Sequence, residues 1–390
     1  NLQMRNMEAL IAAGINDWGG VSAVTPDHVN PECNWPELDV LEDATANAGK
    51  TLVPRLTVYP RYVLAEDTWI SKDVRSRVLA RADAAGLAQE TSWRVGRQPA
   101  DMKAPLAALQ ACPGGAVSAG VRTAVAALQA GQRPRAMDLA GLFAARGPDA
   151  RYIGRAADEL RADLVGDAVT YVINRNINYT NVCGYRCTFC AFSKGRSSLN
   201  LRGKPYDLSL EEIARRTREA WEHGATEVCL QGGIHPDYSG ETYRAIVATV
   251  KAAVPLMHVH AFSALEIQQG ARTLDIGVSD YLTGLKAAGL DTLPGTAAEI
   301  LDDEVRRDLC SDKISTDEWL EIHEIAHGLG LRSTATMMFG HIDRYDHWAR
   351  HLLRVRTLQE KTGGFTEFVP LPFVHMEAPI YRTGQARQGP

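Results

Sequence analysis

Along the second half of the chain, apolar residues recur with the period of strands and of helices in turn. The strand-like runs are residues 171–177, 227–231, 257–262, 281–285, 333–339 and 366–371. The helical patterns are residues 211–223, 243–253, 264–273, 296–308, 316–328 and 347–362. Strands that alternate with helices pair in parallel through right-handed crossovers. The pattern therefore predicts an α/β fold, a partial (β/α)6 barrel of the TIM-like kind.

Before this alternation the pattern is less regular. Residues 1–75 contain a helical pattern at 35–48 and no strand-helix alternation, and we interpret them as the C-terminal remnant of a preceding domain. Residues 76–115, rich in Ala, Arg, Gln and Pro, predict a linker. Helical patterns at 121–130, 136–145 and 152–164 open the barrel domain, residues 116–390. Since the chain stops 18 residues after Pro372, we expect the last helix of this domain to be truncated.

Composition narrows the class of protein. The 390 residues, 45% of them hydrophobic, can form a substantial core. A formal net charge of -5 and a pI near 6.2 offer no basic surface for nucleic acid or for an anionic membrane. No run approaches the roughly 20 apolar residues that span a bilayer, and the first residues do not form a signal peptide. The expected location is the cytoplasm, with no nucleic-acid or membrane partner.

The seven cysteines fall into two groups. Four are scattered, and we interpret Cys33, Cys112, Cys229 and Cys310 as small buried residues. The other three, Cys183, Cys187 and Cys190, lie within eight residues after the first strand, where barrel folds carry their sites. Their spacing, C-x3-C-x2-C, can hold three irons of a 4Fe-4S cluster and leave the fourth iron open. A structural zinc site needs a fourth ligand, which does not follow nearby.

This spacing, with Phe189 between the last two cysteines, resembles the radical S-adenosylmethionine superfamily. The resemblance implies two cofactors, a 4Fe-4S cluster and S-adenosylmethionine bound to the open iron. Electron transfer from the cluster then splits the sulfonium to a 5'-deoxyadenosyl radical. It also implies a glycine motif that contacts the methionyl amino group at the end of the second strand, where Gln231-Gly232-Gly233 stands. Phe189, Gln231, Gly232 and Gly233 are thus the implied cofactor-binding residues.

Longer strings narrow the resemblance to the enzymes of deazaflavin and menaquinone biosynthesis. They lie at residues 174–183, 231–236, 258–263, 288–295 and 334–341, and the match covers about 170–382. The segment 14–20, Gly-Ile-Asn-Asp-Trp-Gly-Gly, is similar to the end of the first half of the bifunctional deazaflavin-forming (FO) synthases. The resemblance implies a fragment that holds the end of the first half and most of the second half. The cysteine triad of the first half would then lie upstream of residue 1.

The implied activity is a transferase reaction of the second half. The adenosyl radical abstracts hydrogen from L-tyrosine, the side chain fragments, and the 4-hydroxybenzyl unit adds to 5-amino-6-(D-ribitylamino)uracil. An electron donor of unknown identity is required. Polar residues near the ends of the first and third strands are candidates to position these substrates, although each can equally line a wet interior. They are Asn176, Asn178, Tyr179, His258, His260, Ser263 and Glu266.

Three alternatives stay open. One is an aminofutalosine-type enzyme of the menaquinone pathway, which shares the barrel motifs but not the tail at 16–20 followed by a second domain. Another is a zinc hydrolase, because His323-Glu324-Ile325-Ala326-His327 matches the H-E-x-x-H string. Ser333 stands where the third histidine would be, and the amphipathic pattern predicts an outer helix with a solvated face. The third alternative is an inert fragment.

Overall fold

The computed structural model describes residues 7–18, 38–79, 81–83, 85–88, 116–166, 170–193, 205–375, 378–387 and 389. The chain divides into two compact units, Asn1–Arg97 and Gln98–Pro390. This division falls inside the predicted linker, residues 76–115. The interpretation of residues 1–75 as a domain remnant stays a prediction.

The first unit is built from short helices. They are α1 (Met7–Ala12), α2 (Leu38–Asn47), α3 (Pro60–Val63), α4 (Glu66–Trp69) and α5 (Lys72–Leu79). Helix α2 is the one that the spacing predicts at 35–48. The Arg55 guanidinium pairs with Asp17, and the Trp18 indole donates to the Thr45 hydroxyl at 3.2 Å. These contacts join segments that are far apart in sequence within this unit.

The second unit contains the predicted half-barrel. Its six strands are β1 (Asn174–Asn178), β2 (Glu227–Gln231), β3 (His258–Ala261), β4 (Thr292–Leu293), β5 (Arg332–Phe339) and β6 (Phe365–Pro372). All pair in parallel and in chain order, β1 to β6. The predicted α/β fold, a partial (β/α)6 barrel, is confirmed.

Helices connect these strands and flank the sheet. Three described helices precede it, α6 (Ala119–Gln129), α7 (Ala136–Phe143) and α8 (Pro148–Val165), as the spacing predicts. The others are α9 (Leu210–Glu222), α10 (Gly240–Ala253), α11 (Ala264–Thr273), α12 (Val278–Ala288), α13 (Asp303–Cys310), α14 (Thr316–Gly328), α15 (Tyr345–Thr362) and α16 (Pro379–Arg382). Within the described ranges, no helix combines the length and the apolar character that crossing a bilayer requires.

The two faces of the sheet differ in chemistry. Ile177, Val228 and Val259 are fully buried in the hydrophobic core that the sheet shares with the helices. The alternate positions point to the other face, because successive strand residues alternate sides. There Asn176 lies in register with Cys229, Cys229 with His260, and His260 with Thr292. The inner face of the half-barrel is therefore polar.

The predicted strand at 281–285 is wrong. These residues belong to α12, and Tyr281, Leu282 and Leu285 are its buried side chains. These three side chains are one, three and four residues apart, which fits one face of a helix. The apolar run is too short to distinguish the period of a helix from that of a strand. Gly289 ends the helix at φ 110, a conformation that glycine adopts readily. The fourth strand follows at Thr292–Leu293.

The predicted helix at 296–308 is correct only in its second half. Helix α13 begins after Asp302, whose side chain accepts a hydrogen bond from the Glu304 amide at 3.2 Å. Ala297 (φ 67) and Glu299 (φ 41) adopt the left-handed conformation, which a helix does not allow. The loop between β4 and α13 therefore has an irregular backbone that residue propensities did not indicate.

We expect Leu285→Ala to lower the free energy of unfolding by about 3 kcal/mol, because a fully buried leucine leaves a cavity. The matched control is Leu256→Ala, where the side chain is 79% exposed and the change should stay within about 0.5 kcal/mol. Urea denaturation measures both. Equal effects would contradict the buried placement of 281–285.

Candidate active site

The three clustered cysteines lie in the loop that follows β1, at the C-terminal edge of the sheet. Cys183, Cys187 and Cys190 are free thiols of intermediate exposure. Sites in parallel α/β folds lie at this edge, because the loops that leave the strands converge there. The predicted location of the triad is thus the one observed.

Backbone hydrogen bonds join this loop to the segment after β2. The Gly233 amide donates to the Thr180 carbonyl at 2.8 Å, and the Gly184 amide donates to the Ile234 carbonyl at 2.9 Å. The Ile234 amide also donates to the Cys183 sulfur at 3.3 Å. Hydrogen bonds to a ligand sulfur favour its thiolate form and influence the potential of an iron-sulfur cluster. The two loops therefore form one structural element.

The glycines after β2 permit this contact. A Cβ atom on Gly233 would lie 2.3 Å from the Val182 carbonyl oxygen, and one on Gly232 would lie 2.4 Å from the Tyr179 ring. Any side chain at either position would push the loops apart. The sequence assigns Gly232 and Gly233 to cofactor binding, which stays a prediction together with Gln231 and Phe189. The structure adds that both glycines are needed for packing.

The other side of the cysteine loop is held by segments that the sequence did not indicate. The Thr188 amide donates to the Leu309 carbonyl at 2.8 Å, and the Arg186 amide donates to the Asp312 carboxylate at 2.8 Å. The Ile380 amide of α16 donates to the Thr188 carbonyl at 2.8 Å. Such backbone contacts carry no residue pattern, so sequence reasoning could not find them.

The electrostatics of the loop come from burial and from one buried ion pair. Burial raises the pKa of Cys187 far above the ordinary thiol value, and the Lys313 ammonium partly opposes this. Burial likewise raises the pKa of Cys183. Lys313 pairs with Glu299, and each side chain is only 10% exposed. A bound metal would displace the thiol protons, because the thiolate is the ligand form.

The donor set fits a 4Fe-4S cluster better than a single ion. Of the described His, Cys, Asp and Glu side chains, the cysteine triad does not form a group whose ligand atoms all lie within 4.8 Å of one another. A single metal ion needs such a compact group, whereas in a cluster each thiolate binds a different iron. Three cysteine sulfurs match a cluster that leaves its fourth iron open.

The one compact group in the described ranges is Asp302, Glu304 and His347. The His347 Nδ1 accepts from the Arg344 amide at 3.1 Å, so Nε2 carries the proton of the neutral ring and has no lone pair for a metal. The Arg350 guanidinium forms an ion pair with the Asp302 carboxylate, with 2.5 Å between Nε and Oδ2. The group is a network of ion pairs and does not fit a cation.

Three of the predicted substrate residues form a buried network beneath the cysteine loop. The Tyr179 hydroxyl donates to Glu266 Oε1, and the Ser263 hydroxyl and amide donate to Oε2 at 2.6 Å each. The Gly232 amide also donates to Oε1 at 3.3 Å. Burial raises the pKa of Glu266, while the hydrogen bonds from Ser263 and Tyr179 oppose that shift. The contacts give these residues a structural role, and their role toward substrate stays a prediction.

The other four candidates, Asn176, Asn178, His258 and His260, lie on the polar inner face. The Asn178 side-chain carboxamide donates to the Gln231 backbone carbonyl at 3.2 Å. His258 and His260 both contact the Thr292 hydroxyl at 2.8 Å. Burial, with a contribution from the neighbouring His258, lowers the pKa of His260 to about 4, so its ring is neutral at pH 7. Sequence reasoning missed Thr292, because the fourth strand was misplaced.

The scattered cysteines divide between the core and the inner face. Cys310 is buried, as predicted. Cys229 is not a plain core residue, because it faces the half-barrel interior and its sulfur accepts from the Gln231 side-chain carboxamide at 3.4 Å. Cys33 and Cys112 lie outside the described residues.

Of the two H-E-x-x-H histidines, His323 is buried and His327 is partly buried, so the predicted solvated face is wrong at His323. His323 is fully buried, and both histidines contact the Ser333 hydroxyl, His323 through Nδ1 at 3.1 Å and His327 through Nε2 at 2.8 Å. His327 also contacts the Thr362 hydroxyl at 2.7 Å. The hydroxyl of Ser333, where a third histidine would be required, joins α14 to β5. The helix flanks the sheet, as predicted, and its histidines are structural.

The fold, the cysteine loop and the glycine segment together define a class of enzyme. Residues 177–355, the part of the chain that carries the cysteine loop and the glycine segment, match the Radical SAM superfamily. The cofactors of that superfamily are a 4Fe-4S cluster and S-adenosylmethionine, and the three cysteines fit the cluster.

Relatives narrow the class further. The FO synthase of Mycobacterium tuberculosis (strain H37Rv) is 46% identical over an alignment of 421 residues. The alignment covers 98% of this chain and 49% of that protein. The 5-amino-6-(D-ribitylamino)uracil–L-tyrosine 4-hydroxyphenyl transferase of Methanopyrus kandleri is 51% identical over 235 residues, 60% of this chain and 63% of that one. The chain thus spans about half the length of the FO synthases it matches.

A solved structure supports the fold alone. HydG, a maturase of the FeFe-hydrogenase, aligns with a TM-score of 0.50 and 16% identity, covering 70% of this chain and 58% of that chain.

We expect Gly233→Ala to prevent assembly of the cluster, because the new Cβ would meet the Val182 carbonyl oxygen. Iron content after anaerobic reconstitution should fall from about four per chain to less than about half of that. Gly184→Ala is the control, since its Cβ would meet nothing closer than 3.8 Å. Normal iron content in both variants would contradict the packing role.

The two histidines of α14 predict that the stability of the fold depends on pH. Burial lowers the pKa of His323 to about 3 and that of His327 to about 4, below the ordinary value near 6.5. The unfolded chain therefore binds more protons, and the free energy of unfolding should fall as the pH decreases from about 6.5 to about 4. We expect a smaller loss in His327→Gln. Urea denaturation at pH 7 and pH 5 measures the loss of unfolding free energy in both proteins. An equal loss in the unchanged chain and in His327→Gln would show that His327 titrates normally.

Proposed function

We propose that the chain is a radical S-adenosylmethionine transferase that joins the 4-hydroxybenzyl group of L-tyrosine to 5-amino-6-(D-ribitylamino)uracil. The observation that carries the proposal is the cysteine loop at the edge of a half-barrel whose inner face is polar. The similarity to the Methanopyrus kandleri transferase supports the choice of substrates. The electron donor is a separate partner.

The inner face suits a uracil that carries a ribityl chain. Across β1 to β4, the register aligns a carboxamide, a thiol, a neutral imidazole and a hydroxyl, those of Asn176, Cys229, His260 and Thr292. Carboxamides and neutral imidazoles both donate and accept hydrogen bonds, as the edges of a uracil ring do. Hydroxyl groups of the ribityl chain can use the same partners. A few converging polar groups are typical of small-molecule sites.

The protein residues hold the cofactors and align the substrates, while the cofactors supply the reactive species. When bound at the three cysteines, the cluster and S-adenosylmethionine supply a 5'-deoxyadenosyl radical. Gln231, Gly232 and Gly233 lie beside the cysteine loop and are proposed to contact S-adenosylmethionine. His258 and His260 are proposed to position a substrate on the inner face, with their rings fixed by the Thr292 hydroxyl.

Anaerobic incubation with dithionite, S-adenosylmethionine, L-tyrosine and the ribitylaminouracil tests the proposal. We expect 5'-deoxyadenosine and the coupled product, and neither in Cys187→Ala, because a cysteine ligand is lost. Chromatography with mass spectrometry measures both compounds. Deoxyadenosine that forms equally well without tyrosine, with no adduct, would exclude these substrates.

We expect His260→Ala to lower the yield of coupled product at least about tenfold, because a misplaced substrate reacts poorly. Formation of 5'-deoxyadenosine should persist, since the cysteine loop is unchanged. His223→Ala is the control, because His223 is exposed at the end of α9. A normal yield in His260→Ala would remove this residue from the proposed site.

A further inference from the structure

A buried ion pair lies beside the cysteine loop, and the proposed transfer reaction does not use it. Lys313 Nζ contacts Glu299 Oε1, and each side chain is 10% exposed. Burial lowers the pKa of Lys313, but its attraction to Glu299 and to the Cys187 thiol outweighs this, so the amine stays protonated. Burial raises the pKa of Glu299, and Lys313 and Arg306 outweigh that effect. Both groups are charged at neutral pH.

The ammonium faces the cysteine loop. Lys313 Nζ lies 5.5 Å from the centroid of the Phe189 ring, and Phe189 stands between Cys187 and Cys190. Phe189 and Cys187 both pack against the hydrophobic cluster that contains Ile300 and Cys310. Water is largely excluded from this contact. A charge in such surroundings acts more strongly on its neighbours than one in solvent.

The loop that carries Glu299 is held in an unfavourable conformation. Glu299 and Ala297 have φ values of 41 and 67. The buried Arg306 guanidinium donates to the Ala298 carbonyl at 2.6 Å and to the Ile314 carbonyl at 2.5 Å, and the Met338 amide donates to the Glu299 carbonyl at 2.9 Å. Left-handed non-glycine residues cost free energy and occur often at functional sites.

Stability alone is a weak reason for this arrangement. Removing two charges from water costs about as much as their attraction returns, and apolar replacements of buried pairs are often neutral or stabilising. The pair therefore requires another explanation. Three thiolates place three negative charges at the loop, and one-electron reduction of a cluster there adds another. A fixed positive charge nearby favours the reduced form, because net charge sets the potentials of iron-sulfur clusters.

We propose that Lys313 raises the reduction potential of the cluster at Cys183, Cys187 and Cys190, and that Glu299 fixes the ammonium in place and limits its effect. The step is the transfer of one electron from a low-potential donor to the oxidised cluster, with no bond or proton transferred. The inference depends on the cluster and is independent of the two proposed substrates.

A redox titration of the reconstituted full chain, monitored by electron paramagnetic resonance, tests the proposal. In Lys313→Met the ratio of reduced to oxidised cluster at a given potential should fall about tenfold, a shift of about 59 mV to more negative values for a one-electron couple. Glu299→Gln should shift the potential in the opposite direction. Lys313→Arg keeps the charge and should resemble the unchanged chain.

Two further variants serve as controls for the redox titration. The double variant Lys313→Met with Glu299→Gln removes both charges without leaving either unpaired, and its potential should lie between those of the single variants. Lys361→Met is the control, because Lys361 forms a similar ion pair with Glu324 at the surface. The side chains of Lys361 and Glu324 are 63% and 42% exposed, and the variant should not shift the reduction potential.

The outcomes separate the two claims. The role of Lys313 would be overturned if the single variants left the reduction potential unchanged or shifted it in the same direction. If the pair were purely structural, the shift would not depend on which charge is removed. If Lys313→Met does not fold, Glu299→Gln and the double variant decide by the same criterion. A full chain that binds no cluster would instead refute the cluster itself.

Discussion

The site depends on the close approach of two backbone segments, the cysteine loop after β1 and the glycine segment after β2. They meet through hydrogen bonds of 2.8 Å and 2.9 Å between Thr180 and Gly233 and between Gly184 and Ile234. The contact leaves no room for a Cβ atom at Gly232 or Gly233. Because the same contact places an amide 3.3 Å from the Cys183 sulfur, backbone geometry contributes directly to the chemistry of a ligand.

Beneath this contact, a buried carboxylate organises the layer between loop and helix. Glu266 belongs to the capping box of α11 with Ser263, and it also accepts from Tyr179 and Gly232. One side chain thus fixes the start of a helix, the base of the cysteine loop and the glycine segment. Four donors on one carboxylate offset the cost of its burial. This explains why polar residues near the site need not touch a substrate.

Much of this could be predicted from the sequence, because its signals are local. The alternation of periods predicted the half-barrel, and C-x3-C-x2-C predicted the loop and its position. The failures come from contacts that are distant in sequence. A two-residue strand at Thr292–Leu293 has too few residues to show a period. The left-handed residue Ala297 and its neighbour Ala298 are held by the guanidinium of Arg306, which lies in α13. The amphipathic pattern of α14 did not reveal that His323 and His327 share the Ser333 hydroxyl.

The function depends on three cysteines that are proposed to hold a 4Fe-4S cluster with one open iron, to which S-adenosylmethionine binds. The most direct test is the electron paramagnetic resonance spectrum of the dithionite-reduced, reconstituted chain before and after S-adenosylmethionine is added. We expect about four irons per chain and a spectrum that changes when S-adenosylmethionine is added, because the open iron gains ligands. A spectrum that does not change, or stoichiometric zinc in place of iron, would contradict it.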